Sequence, residues 1–253
     1  MGHSRDDQGL ATKVVTKHLK TSLEVLSFLF ILFCSMQNCK AIVFDADGTL
    51  FDSFELIVSA YRHVAETHKL RVPTSSEVRA QLGKALPDIF KHFYPNQDIQ
   101  TLLDTNSAFV AANAMNSEAF AGVHELLQQL VDAGIKLAIL TGGGPKIQDV
   151  LNHHGLGTYF TSVVHHERIK NPKPDPEGFL LACTECNVAP QEAVMVGDTV
   201  YDIETGQNAH ALATIALTHG FGEIEDLEKV HPDYTAKDIF EVSAILSELV
   251  RTA

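Results

Sequence analysis

Residues 41–50 read Ala-Ile-Val-Phe-Asp-Ala-Asp-Gly-Thr-Leu and place two carboxylates, Asp45 and Asp47, at the end of an unbroken apolar run. Such a run predicts a strand of a parallel sheet that is buried on both faces. Gly48 then lets the backbone turn sharply, at the end of the strand where α/β proteins place their ligands. Crowded carboxylates repel each other unless a cation or a proton intervenes. The pair therefore indicates a nucleophile or metal ligand followed by an acid–base group, and the alternative is a solvated acidic turn.

Two later segments supply complementary polar groups. The apolar run 135–140 ends at Thr141 and is followed by three glycines, Gly142–Gly144. This glycine run is not a P-loop, because no Gly-Lys-Ser/Thr follows it. Lys173 stands between two prolines, which restrict its backbone. A hydroxyl and an ammonium group are thus available to meet an anionic substrate, and the alternative for Lys173 is a solvated loop lysine.

A third segment repeats the pattern of a strand that ends in a carboxylate. The apolar run 193–196 leads into Gly-Asp-Thr, which places Asp198 after a strand and Asp202 four residues later. The order Asp/Asp, Thr, Lys, Asp/Asp resembles the haloacid dehalogenase-like superfamily, and within it the phosphoglycolate-phosphatase-like branch. The similarity extends from Met36 to about Val250, with all four superfamily motifs in order.

The resemblance implies a role for each polar residue. Asp45 would attack phosphorus to form an aspartyl phosphate, and Asp47 would protonate the leaving alkoxide and later take a proton from water. Mg²⁺ would be bound by Asp45, Asp198 and the carbonyl of Asp47. Relatives often carry Asn or Ser where Gly142 stands, so one side-chain contact to substrate is missing here. The other implied roles are charge stabilisation and phosphate binding for Lys173, phosphate binding for Thr141, Gly142 and Gly143, and support of the metal site for Asp202.

Residues 53–118 have a different pattern from the rest of the chain. Apolar residues recur at helical spacing, Thr74-Ser75-Ser76-Glu77 is typical of a capping box, and the segment has no buried-strand run. The resemblance implies that this is a helical cap domain inserted after the first strand. Gly83 and Lys84 resemble the family's substrate-specificity loop, and the alternative is a helix C-cap followed by a solvated lysine.

From residue 119 onward, helical and strand-like runs alternate, which predicts a doubly wound parallel sheet of the Rossmann-like α/β class. We therefore predict a catalytic core made of residues 36–52 and 119–253, with the cap domain at 53–118. Residues 1–35 do not fit this pattern. Their apolar run of about ten residues is shorter than the ~20 needed to span a bilayer. We expect Met36 to be the natural start or the leader to be dispensable, with an anchor or export signal as the alternative.

Composition narrows the possible partners. The 253-residue chain carries a formal net charge of −13, which argues against nucleic acid or an anionic membrane as the main partner. The four cysteines suggest a reducing compartment, and we expect a cytoplasmic protein that is a monomer or homodimer. Cys183 and Cys186 have CxxC spacing within a helical pattern, which favours helix packing over a zinc site. The histidine pairs at 153–154 and 165–166 are expected on the surface or in loops.

The sequence therefore predicts a Mg²⁺-dependent phosphatase that acts on a small phosphorylated metabolite such as phosphoglycolate. One alternative is a phosphomutase of the β-phosphoglucomutase type, which uses the same nucleophile with water excluded. A phosphonate hydrolase is disfavoured, because such relatives carry another residue at the position of Asp47. A non-catalytic binding protein on the same fold is disfavoured by the complete set of catalytic residues, although fold alone does not exclude it.

Overall fold

The computed structural model describes residues 39–251, in which eight strands are found. These are β1 (Ala41–Phe44), β2 (Phe51–Asp52), β3 (Glu118–Ala119), β4 (Lys136–Leu140), β5 (Phe160–Val164), β6 (Ala193–Gly197), β7 (Ala213–Leu217) and β8 (Tyr234–Ala236). Six of them form a parallel sheet in the order β5-β4-β1-β6-β7-β8. Strand β1 thus lies between β4 and β6, where the winding of the sheet reverses. In such sheets the ligand crevice opens beyond the carboxyl ends of the strands at this point.

Helices cover both faces of the sheet. In the part of the chain described they are α1 (Phe54–Thr67), α2 (Ser75–Arg79), α3 (Leu86–Phe93), α4 (Ile99–Asn113), α5 (Val123–Asp132), α6 (Ile147–His153), α7 (Glu177–Cys186), α8 (Val200–Asn208), α9 (Ile224–Lys229) and α10 (Ile239–Arg251). On one face, Ile42 and Phe44 of β1 share an apolar core with α5, α6 and α10. On the other face, Val43 packs in a core with Phe179 of α7. The predicted doubly wound α/β fold is confirmed.

Helices α1 to α4 have an apolar core of their own. It includes Tyr61, Phe90 and Tyr94, and the rings of Tyr61 and Phe90 lie 5.1 Å apart. The short antiparallel pair β2–β3 joins the two ends of this helical block to the sheet. The predicted capping box is present, since Thr74 Oγ1 accepts from the Glu77 N–H and the Glu77 carboxylate accepts from the Thr74 N–H. The division into a core at 36–52 and 119–253 and a cap at 53–118 stays a prediction.

The remaining predictions concern the cysteine pair, the C-terminal elements and the N-terminal leader. Cys183 and Cys186 are free and buried on α7, as helix packing predicts. Strand β8 and helices α9 and α10 were not predicted. The leader at 1–35 lies outside the described residues. Within residues 39–251, no helix combines the length and hydropathy needed to cross a bilayer.

Candidate active site

Three polar residues directly follow three neighbouring strands of the sheet. Asp45 follows β1, Thr141 follows β4 and Asp198 follows β6. All three are buried, at 5%, 2% and 0% exposure. Because the strands are parallel and adjacent, their carboxyl ends bring these side chains to one edge of the sheet. The apolar strands fix the positions, and the polar residues begin where each strand ends.

Lys173 joins two of the acidic residues. Its Nζ lies 2.7 Å from Asp45 Oδ1 and 2.6 Å from Asp202 Oδ1, and its side chain is only 9% exposed. Hydrogen bonds of this length between charged groups are strong and directional. Asp45 Oδ2 has no hydrogen-bond partner among the described residues, so this oxygen remains available to react.

Asp198 is held by the backbone and side chains around it. Thr49 Oγ1 donates to Asp198 Oδ1 at 2.7 Å, and the Phe221 N–H donates to Oδ2 at 2.7 Å. Gly48 and Gly220 pack so closely that a Cβ on either would lie 2.4 Å or 2.3 Å from Asp198 Oδ2. These two glycines are therefore required by the close approach of backbone to a carboxylate.

Asp202 is fixed at the start of α8. Its Oδ2 accepts hydrogen bonds from the Thr199 N–H at 2.9 Å and from Thr199 Oγ1 at 2.7 Å. This contact closes a turn at the helix N-terminus, where a negative charge is favoured. With its other oxygen on Lys173, Asp202 links the helix to the lysine.

The buried carboxylates of Asp45, Asp198 and Asp202 repel one another, and a bound cation would reduce this repulsion. Burial raises the pKa of Asp45 well above its usual range, and Asp202 and Asp198 add to the rise while the Lys173 ammonium opposes it. Burial, together with the charge of Asp202, raises the pKa of Asp198 to about 7. One ammonium group cannot neutralise three buried carboxylates, and a divalent ion would remove the remaining repulsion.

The donor set suits a hard divalent cation such as Mg²⁺. One carboxylate oxygen from each of Asp45, Asp198 and Asp202 lies within 4.8 Å of the other two, and this group contains no histidine or cysteine. Oxygen-only donors are what Mg²⁺ prefers. Asp202, which was expected only to support the metal site, thus belongs to this cluster of three carboxylates. The carboxylate of Asp47 does not belong to it.

Asp47 and the loop after β4 lie beside this cluster. Asp47 is half-buried, and burial raises the pKa of its carboxyl, which helps it to hold a proton.

In the loop after β4, the Gly143 N–H donates to Thr141 Oγ1 at 2.9 Å, so that N–H must leave Thr141 before it can bind a phosphoryl oxygen. A Cβ on Gly142 would meet nothing within 4 Å, consistent with a missing side-chain contact at this position.

The helical block meets the sheet beside the acidic cluster. Gly83 adopts a φ of +88°, and a Cβ there would lie 2.5 Å from the Tyr201 ring and 3.0 Å from Thr199 Oγ1. Arg79 donates to the carbonyls of Gly220 and Phe221 at 3.3 Å and 3.4 Å. The segment 79–83 therefore contacts both loops that hold Asp198 and Asp202.

We expect Gly83→Ala to lower kcat/KM by roughly tenfold or more. The added methyl group would lie 2.5 Å from Tyr201 and displace segment 79–83 from the loops that hold Asp198 and Asp202, and each ~1.4 kcal/mol of lost transition-state stabilisation is a factor of ten in rate. The left-handed backbone adds a folding penalty of about 1–2 kcal/mol, which the control variant shares. Steady-state kinetics on any turned-over phosphate ester measures the effect. The matched control is Gly134→Ala, since Gly134 has a φ of +80° and no atom within 4 Å of an added Cβ. Equal kcat/KM in both variants would mean that this contact is absent during catalysis.

One cavity of about 490 Å³ connects the sheet edge with the helical block. Asp45, Asp47 and Lys173 line it from the sheet side, with Thr141 and Gly142–Gly144 beside them. Gly83 and Lys84 line it from the helical block, and Lys84 Nζ donates to Gln81 at 2.8 Å. The structure thus brings the predicted site residues to one cavity or to its acidic floor. Their roles stay predictions.

Sequence reasoning missed several residues of the site. Thr49, whose hydroxyl donates a hydrogen bond to Asp198, lies within the first motif but was not predicted as a site residue. Phe221 contributes a backbone N–H, which leaves no signal in side-chain type. His166 was expected on the surface or in a loop, and it is exposed, yet it lines the cavity and its Nδ1–H donates to the Gly143 carbonyl at 2.8 Å. The other predicted pair, at 153–154, contributes nothing to the cavity lining.

Comparison with known proteins gives consistent results. A family model described as haloacid dehalogenase-like hydrolase matches residues 42–216. The pyrophosphatase PpaX of Bacillus velezensis is 31% identical over 206 residues, covering 78% of this chain and 92% of the relative. A haloacid dehalogenase-like hydrolase of Streptococcus pneumoniae superposes with a TM-score of 0.73 at 25% identity, covering 82% of this chain and 98% of that one. A structure titled a predicted phosphoglycolate phosphatase, from Haemophilus somnus, superposes with a TM-score of 0.75 at 22% identity, covering 83% and 99%, which shows the fold alone.

Proposed function

We propose that this chain, which belongs to the haloacid dehalogenase-like hydrolase family, is a Mg²⁺-dependent phosphatase that hydrolyses a small phosphorylated metabolite through an aspartyl phosphate. The observation that carries the proposal is the buried Lys173 ammonium between Asp45 and Asp202, next to Asp198. A relative named as a pyrophosphatase supports phosphoryl chemistry in particular.

Asp45 is the proposed nucleophile. Its Oδ1 is held by Lys173, and its Oδ2 is free of partners among residues 39–251 and can attack phosphorus. As the Oδ2–phosphorus bond forms, the bond from phosphorus to the ester oxygen breaks. Because Lys173 fixes the carboxylate, little reorganisation is needed on reaction.

Asp47 is the proposed acid–base residue. Its raised pKa favours the protonated form, which gives its proton to the departing alkoxide and releases the alcohol. The resulting carboxylate then takes a proton from water, whose oxygen attacks phosphorus. The bond from phosphorus to Asp45 breaks, which releases inorganic phosphate and restores the nucleophile.

The remaining groups stabilise charge on the transferring phosphoryl group. Lys173 supplies a compact positive charge at the nucleophile, and the Thr141 O–H can donate to a phosphoryl oxygen while its oxygen accepts from Gly143. Asp45, Asp198 and Asp202 would hold Mg²⁺, which would supply further neutralisation of negative charge there. Phosphoryl transfer depends mainly on such positioning and charge neutralisation.

The wider assignments are proposals as well. We propose a small phosphorylated metabolite as partner and no nucleic acid, because a chain of net charge −13 repels polyanions. A cytoplasmic location and a monomeric or homodimeric state remain expectations. The substrate is either a phosphate ester, of which phosphoglycolate is an example, or pyrophosphate, which the name of one relative indicates.

Phosphorus NMR on a panel of phosphate esters with Mg²⁺ tests this function. A phosphatase releases inorganic phosphate from at least one ester, and the signal grows with time. A phosphomutase would instead convert a sugar phosphate into its positional isomer with little free phosphate. Failure of the folded protein to alter any compound of the panel would contradict both enzymatic readings.

A further inference from the structure

The wall that the helical block gives to the catalytic cavity is aliphatic. Its apolar side chains come from α1, α3, α4 and the loop before α3, and they include Leu56, Ile57, Leu82, Leu86, Val110 and Ala111. Because the same cavity reaches Asp45 and Asp47, whatever leaves with the ester oxygen must rest against this wall. A charged leaving group would lose its hydration there without compensation.

Positive charge on this wall is sparse. Among the described lining residues, Lys84 is the cation that the helical block contributes, and it is exposed with its Nζ on Gln81. Lys146, on the sheet side, is paired with Asp149 at 2.9 Å, and Lys173 is bound to Asp45 and Asp202. On the helical side, a second phosphate or a carboxylate on the substrate would therefore meet only the exposed Lys84 among the described lining residues, and an exposed ion pair strengthens binding by at most roughly fivefold.

Two buried polar side chains interrupt the aliphatic wall. Tyr61 of α1 lines the cavity, and its buried hydroxyl has no hydrogen-bond partner among the described residues. Asn106 of α4 is 6% exposed and lines the cavity. Its side-chain amide has no hydrogen-bond partner within residues 39–251, although α4 offers such partners elsewhere: Asn113 Nδ2 donates to the Phe109 carbonyl. A ligand that occupies the cavity can supply the hydrogen bond that this amide lacks.

We propose that the substrate is a phosphate monoester whose leaving group is an uncharged, mainly aliphatic alcohol with at least one further hydroxyl group, and that Asn106 binds such a hydroxyl. The inference rests on the proposed phosphatase function and narrows its substrate class. It excludes pyrophosphate and phosphoglycolate as preferred substrates, because each carries a second anion. A volume of about 490 Å³ suits such a leaving group, since pockets for organic ligands span roughly 300–1,000 Å³.

A matched series of substrates tests this assignment. Phosphate release with Mg²⁺ is measured for ω-hydroxyalkyl phosphates of two to six carbons, for n-alkyl phosphates of the same lengths, and for pyrophosphate, phosphoglycolate and p-nitrophenyl phosphate. We expect the best hydroxyalkyl phosphate to exceed pyrophosphate and phosphoglycolate at least tenfold in kcat/KM. It should exceed the alkyl phosphate of equal length by roughly 2- to 12-fold, which is the effect of one hydrogen bond.

The Asn106→Leu variant tests the residue itself. Leucine has nearly the shape of asparagine, so the variant should lose the preference for the hydroxyl, and the ratio of kcat/KM for hydroxyalkyl over alkyl phosphate should fall to about one. The Tm of the variant should not fall, because the wild-type amide has no hydrogen-bond partner within residues 39–251. The control is Asn113→Leu on the same helix, outside the cavity lining, which should keep the preference.

Different results would contradict the leaving-group class, the role of Asn106 and the phosphatase function. Higher kcat/KM for pyrophosphate or phosphoglycolate would overturn the leaving-group assignment while leaving phosphatase activity in place. An Asn106→Leu variant that loses alkyl and hydroxyalkyl turnover equally, or whose Tm falls, would overturn the role of Asn106. Absence of phosphate release from every compound, p-nitrophenyl phosphate included, would overturn the phosphatase function on which the inference rests.

Discussion

Replacing Asp45 with asparagine is expected to lower kcat by at least ~10³-fold while the protein stays folded, since removal of a nucleophile has effects of this size or larger. Asparagine has the same shape but lacks the anionic oxygen that attacks phosphorus. The neighbouring Lys173 keeps its second partner, Asp202, so no buried charge is left unpaired. Steady-state kinetics on p-nitrophenyl phosphate, with circular dichroism as a check on folding, measures the effect.

The control for Asp45→Asn is Asp132→Asn, which makes the same chemical change at an exposed residue near the end of α5. That variant should keep wild-type kcat and KM. If Asp45→Asn turned over the aryl phosphate at close to the wild-type rate, another group would have to be the nucleophile.

Removal of Mg²⁺ is expected to lower turnover by a similar factor. Asp45, Asp198 and Asp202 form an all-oxygen cluster, and their mutual repulsion also opposes the approach of a phosphate dianion. Excess chelator should abolish activity and added Mg²⁺ should restore it. Ca²⁺ should substitute poorly, because it accepts longer bonds and higher coordination numbers. Full activity in excess chelator would rule out the metal role.

The same account predicts how Mg²⁺ binding depends on pH. The pKa of Asp198 is raised to about 7 by burial and by Asp202, so a proton competes with the ion below that pH. Calorimetric titration should show Mg²⁺ affinity falling as pH is lowered through about 7, with proton release on binding near neutral pH. The Asp198→Asn variant should bind Mg²⁺ more weakly than the wild type, because one of the three carboxylates is lost. Unchanged affinity in that variant would place the ion elsewhere.

The fold and the sheet side of the site were largely predictable from the sequence. Strands buried on both faces leave uninterrupted apolar runs, and the residue after each run marks the carboxyl edge of the sheet. Asp45, Thr141 and Asp198 each stand directly after such a run, so their positions could be predicted from the sequence. The strands themselves fix where those positions lie relative to one another.

The rest of the site depends on contacts that sequence does not encode locally. The Phe221 N–H donates to Asp198 from 23 residues away, and any residue type except proline could supply it. Asn106 lies in a helix whose apolar pattern gives no sign that one amide meets a cavity. The short strand β8 and helix α10 were not predicted. Strand β8 has only three residues, two of them exposed, so it leaves no apolar run in the sequence. Gly83 was predicted to belong to a substrate-specificity loop, but its close approach to Tyr201 is visible only in the tertiary structure.

Trapping the covalent intermediate tests the central claim most directly. The Asp47→Asn variant, which cannot activate water, is mixed with p-nitrophenyl phosphate and Mg²⁺, since this leaving group needs no proton from the enzyme. The reaction is quenched in acid and reduced with borohydride, which converts an acyl phosphate of aspartate into homoserine. We predict that peptide mass spectrometry finds homoserine at position 45 and unmodified aspartate at 198 and 202. Release of p-nitrophenol in a first turnover without any modification at Asp45 would contradict the account.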